Sequence, residues 1–191
     1  MRILVIDNGG QWTHREWRVL RDLGAETEIV PNKTPVDSIK ADGLVLSGGS
    51  PRVGINAEAM GLCGEYIDKV GVPVLGICAG HQFMATHLGG KAGPSKIPEF
   101  GKVLVMIDDE DDLFKGLPDT LVAWESHNDE VTQLPPDFKS LAHSDNCQVQ
   151  AMRHSSKPLF GLQFHPEVEH TDNGYEIFQA FIDVCGAQKK A

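Results

Sequence analysis

With 191 residues, 41% hydrophobic and 23% charged, the chain has material for one sizeable core and would be cramped as two domains, so a single domain over 1–191 is expected. Its 27 acidic against 17 basic side chains, a formal net charge of −10, exclude the clustered Lys and Arg of a nucleic-acid groove. The N-terminal apolar stretch, residues 3–6, is far too short for a signal-peptide core or a membrane span, and four scattered cysteines without a CxxC pair argue against a disulfide scaffold or zinc knuckle, so the expected compartment is cytoplasmic.

In chain order the pattern alternates. A strand over 3–6 leads to a helix over 12–23 that stops at Gly24, and a strand over 26–30 leads to Thr34 and Pro35, a cap and first-turn proline for a short helix to residue 39. A strand over 43–47 leaves through Gly48 and Gly49, and a helix over 57–70 precedes an apolar strand over 72–77 and a helix over 79–88. After Gly89 and Gly90 come short strands over 102–107, 121–124, 149–152 and 159–164. The acidic run Asp108 to Asp112 lacks the alternating ligands of a calcium loop and reads as a solvated loop. The last helix, 174–185, carries Tyr175, Phe178, Phe181, Ile182 and Cys185 at helical spacing, and Lys189 with Lys190 reads as a frayed tail. The expected fold is α/β: an open, mostly parallel central sheet with helices on both faces, plus a small antiparallel β region in the C-terminal half.

Three segments carry chemistry. Gly76-Ile77-Cys78-Ala79-Gly80-His81-Gln82 places a cysteine between glycines, behind an apolar strand and ahead of a helix. A nucleophile perched there is strained and needs neighbours without bulk, and the helix start, worth about half a positive charge, favours thiolate over thiol. His165-Pro166-Glu167 follows a buried strand; in extended chain, residues two apart share a side, so the carboxylate can hold the imidazole in one tautomer. Ser47-Gly48-Gly49 offers backbone amides near a reacting carbonyl, with Gly49 and Ala79 as candidate oxyanion donors. Cys63, Cys147 and Cys185 read as small buried hydrophobes.

These motifs resemble the class I, triad-type glutamine amidotransferases, whose glutaminase domains carry a Gly-x-Cys-x-Gly-x-Gln elbow and a His-Pro-Glu pair. The resemblance covers essentially the whole chain. Within the family, residues 6–11 (Ile-Asp-Asn-Gly-Gly-Gln), 126–131 (Ser-His-Asn-Asp-Glu-Val) and the Val168 to Thr171 continuation resemble the GMP synthetase branch. The resemblance implies a flavodoxin-like sheet, Cys78 as nucleophile, His165 as base and acid, and Glu167 as the orienting group. It further implies a contact between Gln82 and substrate L-glutamine, and a loop of Ser126, His127, Asn128 and Asp129, with Gly49, binding the amino-acid end. It implies no cofactor on this chain, with ATP and magnesium on a partner, an ATP-pyrophosphatase-type synthetase subunit that aminates XMP. The family pattern is departed from at Ala79, where a larger side chain is usual, at Ser50, where proline is usual, and at Asn128, where glycine is common.

Rival readings are weaker. Residues 47–54 lack the Gly-Lys-Ser/Thr ending of a phosphate loop, the GxGxxG fingerprint and the Ser-Gly-Gly-x-Asp-Ser loop of ATP pyrophosphatases. His165, Glu167 and His170 do not form a helical HExxH, because Pro166 interrupts, so no metal site is expected. The remaining alternatives are a glutaminase serving anthranilate or aminodeoxychorismate synthase and a non-catalytic regulatory module of the same fold.

Overall fold

The computed structural model describes residues 1–190. Strands β1 (Arg2–Asn8), β2 (Glu26–Pro31), β3 (Gly43–Gly49), β4 (Val74–Ile77), β5 (Lys91–Ile107), β6 (Thr120–Gln133), β7 (Phe138–His143), β8 (Ala151–His154) and β9 (Leu159–Leu162) form one nine-stranded sheet ordered β2-β1-β3-β4-β9-β8-β7-β5-β6. The first five strands of that order run parallel, and the others continue the same sheet antiparallel. The helices are α1 (Thr13–Asp22), α2 (Cys63–Lys69), α3 (Ala79–His87), α4 (Asp111–Phe114) and α5 (Gly174–Lys190).

The central strands read as unbroken apolar runs because both faces are covered. Alternation sorts them: Ile3 and Val5 join α1, α4 and α5 in one core, while Leu4 and Ile6 join α2 and α3 in the other. None of these helices is long and apolar enough to cross a membrane, among the described residues.

Several local expectations are corrected. The helix expected over 57–70 is a 3₁₀ turn, Ala57–Met60, followed by α2, because Gly61 turns at φ +58° and the Leu62 amide donates to the Asn32 carbonyl at 2.7 Å. The short helix after Thr34 is a 3₁₀ turn, Val36–Ser38, and the Thr34 hydroxyl donates back to Pro31 O at 2.7 Å instead of capping it. The strands expected over 102–107 and 121–124 extend to the whole of β5 and β6, whose mutual pairing outweighs Gly93 and Pro94. Strand β7 has no counterpart among the expected strands; it pairs with β8. The acidic run is only partly solvated, since Asp111 is a buried acceptor for Lys139, at 2.9 Å, and for Arg153. Burial works against its charge, and Lys139 and Arg153 overcome that, holding the carboxyl below its ordinary range. The supposed frayed tail is the end of α5, with Lys189 Nζ 3.0 Å from Asp42.

At the β4–α3 junction the two glycines are required by contact. A Cβ at Gly76 would sit 2.7 Å from the Gly80 backbone, and one at Gly80 would collide with the Leu46 carbonyl of β3. Gly80→Ala is therefore expected to destabilise the fold by about 1–3 kcal/mol, read as a lower urea midpoint at unchanged slope.

Candidate active site

Strand order brings the chemistry together. β3, β4 and β9 lie side by side and parallel, with Leu46 opposite Gly76 and Ile77 opposite Leu162. Their carboxyl ends therefore share one edge, where open α/β sheets place ligands. Gly48, Cys78 and His165 all leave from it.

Cys78 occupies the elbow at φ +49°, ψ −103°, a conformation rare for a residue with a side chain and a mark of stored strain. Its amide donates to Leu162 O at 2.7 Å, which anchors the turn to β9, and its carbonyl accepts the Gln82 amide at 3.0 Å as α3 begins. The side chain is almost fully buried, yet it borders a cavity of 230 Å³ shared with Gly48, Gly49, His165 and Glu167.

The His165–Glu167 pair forms, although not in extended chain. β9 ends at Leu162, and the His165 carbonyl accepts the Val168 amide at 3.3 Å, so a turn rather than strand alternation sets the two side chains together. The turn is tied to β6: the His165 amide donates to Trp124 O at 3.0 Å, and Thr171 Oγ1 donates to His165 O at 2.7 Å. Trp12 packs its ring edgewise on the imidazole at 4.4 Å.

Nδ1 of His165 lies 2.7 Å from Glu167 Oε1, with both side chains buried. A carboxylate can only accept, so Nδ1 carries a proton and Nε2 is left for the sulfur or for substrate. Burial alone would push the imidazole down, but Glu167 and the Cys78 sulfur together hold it well above the ordinary histidine value. Such an arrangement can make a nucleophile and protonate a leaving amine.

A second cavity, of 210 Å³, adjoins the first through Cys78 and Gly49 and is lined also by Ala79, Gln82, Ser126, His127, Asn128 and Asp129. The residues expected to hold substrate are thus gathered, but the expected loop is a stretch of β6. Strand alternation exposes Ser126 and Asn128 and buries His127 and Asp129. Gln82 Nε2 is already engaged, donating to Asp129 O at 2.7 Å and to Gln163 Oε1 at 3.1 Å. Asp129 receives a two-pronged bond from Arg52, at 2.6 and 3.0 Å. His127 is held within a buried network, with Nε2 3.1 Å from Glu99 and Nδ1 3.1 Å from the Asp129 carbonyl. Glu99, His127 and Cys147 bring potential ligand atoms within 4.8 Å of one another, but the Glu99 carboxylate is already hydrogen-bonded to His127, Ser144 and Gln150.

Four neighbours stand out among those beyond the expected set. Gln163 directs its amide at Cys78 Sγ from 3.7 Å, Arg52 grips Asp129, Trp12 covers His165, and Glu16 lines the first cavity. Only Glu16 leaves a signal in the sequence: an acidic residue three after Thr13 and three before Val19, on the buried face of α1.

The profile of the class-I glutamine amidotransferase family matches residues 4–184. The chain is 53% identical over 193 residues to a glutamine-hydrolyzing GMP synthase subunit of Thermoplasma volcanium, covering 100% of this chain and 95% of that one. It is similar to a crystal structure from Thermoplasma acidophilum, of a protein assigned as a GMP synthase subunit, with a TM-score of 0.95 and 49% identity over 100% of this chain and 96% of that one. A glutamine amidotransferase structure from Thermotoga maritima, 22% identical, shares the fold alone, with a TM-score of 0.74 over 100% of this chain and 86% of that one. Sequence and structure agree, and the chain belongs to the class-I glutamine amidotransferases.

Proposed function

We propose that this chain is the glutaminase subunit of a two-subunit GMP synthetase. The observation that carries the reading is Cys78 in a strained elbow, sharing a cavity with a buried His165–Glu167 pair. The full-length relatives support the GMP branch, since they are named as glutamine-hydrolyzing subunits of GMP synthase.

In this reading the Cys78 thiolate attacks the side-chain amide carbon of L-glutamine, and the amides of Gly49 and Ala79 receive the charge that collects on oxygen. His165 gives its proton to the leaving nitrogen, ammonia departs, and a thioester remains. His165 then takes a proton from water, whose oxygen displaces the sulfur, releasing glutamate and restoring Cys78. Glu167 steadies the imidazole throughout. Gln82, Ser126, His127, Asn128 and Asp129 shape the pocket for the amino-acid end, with the Asp129 carboxylate held in place by Arg52. Ammonia passes to an ATP-pyrophosphatase-type synthetase subunit, which holds ATP and magnesium and converts XMP to GMP. Four free, buried thiols suit a reducing compartment such as the cytoplasm.

The test is to mix this chain with a GMP synthetase subunit, XMP, ATP and magnesium, using glutamine as sole nitrogen donor. GMP is expected to form, and an anthranilate or aminodeoxychorismate synthase component in place of the partner should give no aminated product. Product with either of those and none with the GMP partner would reverse the assignment.

A further inference from the structure

Helix α1 buries one residue that its apolar face does not explain. Glu16 is 1% exposed, its Oε1 accepts the Gly48 amide at 3.2 Å, and its Oε2 has no hydrogen-bond partner among the described residues. A second orphan oxygen stands at the same site: Glu167 Oε2, on the group that orients His165. Both carboxyls line the cavity that holds Cys78 and His165.

Gly48 itself is hemmed in. Ser47 Oγ donates to its carbonyl at 2.8 Å, and a Cβ on Gly10 would collide with that carbonyl from the other side. A Cβ on Gly48 would come 3.1 Å from His165 Cε1 and 3.7 Å from Cys78 Cβ, so this backbone is the wall against which imidazole and sulfur rest. Peptides are planar, so fixing the Gly48 carbonyl also fixes the Gly49 amide across the same plane. Ser47 therefore sets the peptide that follows Gly48, and Glu16 sets the one that precedes it.

We propose that Glu16 is a positioning residue for glutamine hydrolysis, holding the Gly48 peptide against His165 with Oε1 and turning Oε2 to the free oxygen of Glu167. The inference rests on the glutaminase reading above. Burial first, then the charge of Glu167, raise the Glu16 carboxyl well above its ordinary value, with Cys78 acting the same way and the Gly48 amide and His165 opposing. Those are the groups that bear on it, from the turn after β9, the elbow and β3. Two carboxyls facing one cavity, each with an oxygen lacking a partner, are relieved when Glu16 carries a proton. Oε1 then keeps its lone pairs for the amide, and the Oε2 hydroxyl is a donor in want of an acceptor, while Glu167 Oε2 is an acceptor in want of a donor. A hydroxyl-to-carboxylate bond is short and strong, and it steadies Glu167 without adding a second negative charge.

The test compares Glu16→Gln, Glu16→Asp and Glu16→Leu in the chain assembled with its synthetase subunit, reading ammonia release from L-glutamine with thermal unfolding alongside. Glutamine at this position keeps an acceptor for Gly48 and a donor for Glu167, so kcat should stay within about threefold of the parent. Aspartate is a methylene too short and leucine has neither group, so each should lower kcat by about tenfold or more while KM changes less than about threefold. If the leucine variant fails to fold, the contrast between glutamine and aspartate carries the test. Parental kcat in the aspartate variant, a loss beyond tenfold in the glutamine variant, or an effect confined to KM would each overturn the proposal. An unsubstituted assembly that releases no ammonia would bring down the glutaminase reading first, and this inference with it.

Discussion

Replacing Cys78 with alanine is expected to stop ammonia release from glutamine, with a loss of more than about ten-thousandfold in kcat, because the only group able to form the acyl intermediate is gone. The fold should survive. Cys78 contributes one sulfur at a cavity wall, and the elbow is held by backbone bonds, its amide on Leu162 O and its carbonyl on the Gln82 amide. The strain at φ +49° resides in the backbone, so alanine inherits it. Glycine does not, and Cys78→Gly should unfold at higher denaturant than Cys78→Ala while being equally inactive. Docking to the synthetase subunit should be unaffected in both. Glutamate formation at the parental rate in either variant would falsify the nucleophile assignment.

The second large effect concerns the base. His165→Ala is expected to lower kcat by about ten-thousandfold, and Glu167→Gln by about a hundredfold, because an orienting group acts through the imidazole and is partly dispensable. A glutamine amide in place of Glu167 can still bond Nδ1, at 2.7 Å from Oε1 in the parent, but it no longer favours the imidazolium. Kinetics in the reverse order would exchange the two roles. A pH signature accompanies the pair. Glu167 and the sulfur overcome burial and raise His165 above its ordinary 6.5, so the protonated imidazole binds its proton more tightly folded than unfolded. The sign then follows from linkage: this contribution to stability is complete below 6.5 and is lost as pH climbs through the raised value. Unfolding of parent and His165→Ala, measured from acid to alkaline pH, should show the parent's advantage shrinking toward high pH. An advantage that grew with pH would mean that the imidazole is held neutral.

What could be read in advance depended on how local the cause was. Strands over 3–6, 43–47 and 72–77 announce themselves because each is covered on both faces and must be apolar throughout. α1 is equally legible, its buried face spaced at helical period. The first part of β5, residues 91–101, was not, since Lys91, Gly93 and Pro94 are poor strand formers and are held extended only by β6 across from them. The helix over 57–70 is realised only in its second half, as α2, for a related reason, a backbone bond from Leu62 to Asn32 that no helical pattern encodes. At the site, Cys78, His165 and Glu167 were legible because each sits in a short motif with its own steric or electronic demand. Ser126 to Asp129 line a cavity beside Cys78, as a stretch of strand and not the expected loop. Arg52 and Gln163 gave no hint, for a surface arginine and a strand-end glutamine gain meaning only from what they touch.

The sequence by itself determined the chemistry on offer: a strained thiol at a helix start, an imidazole with its carboxylate, and glycines that let backbone close in. Tertiary structure alone decided that these parts meet. β9 is the last strand in the chain yet inserts beside β4, with Leu162 opposite Ile77, and that parallel register sets His165 next to Cys78 across more than eighty residues of intervening chain. Register is a property of two strands together, fixed by how their side chains share the cores on either face, and no segment read alone contains it.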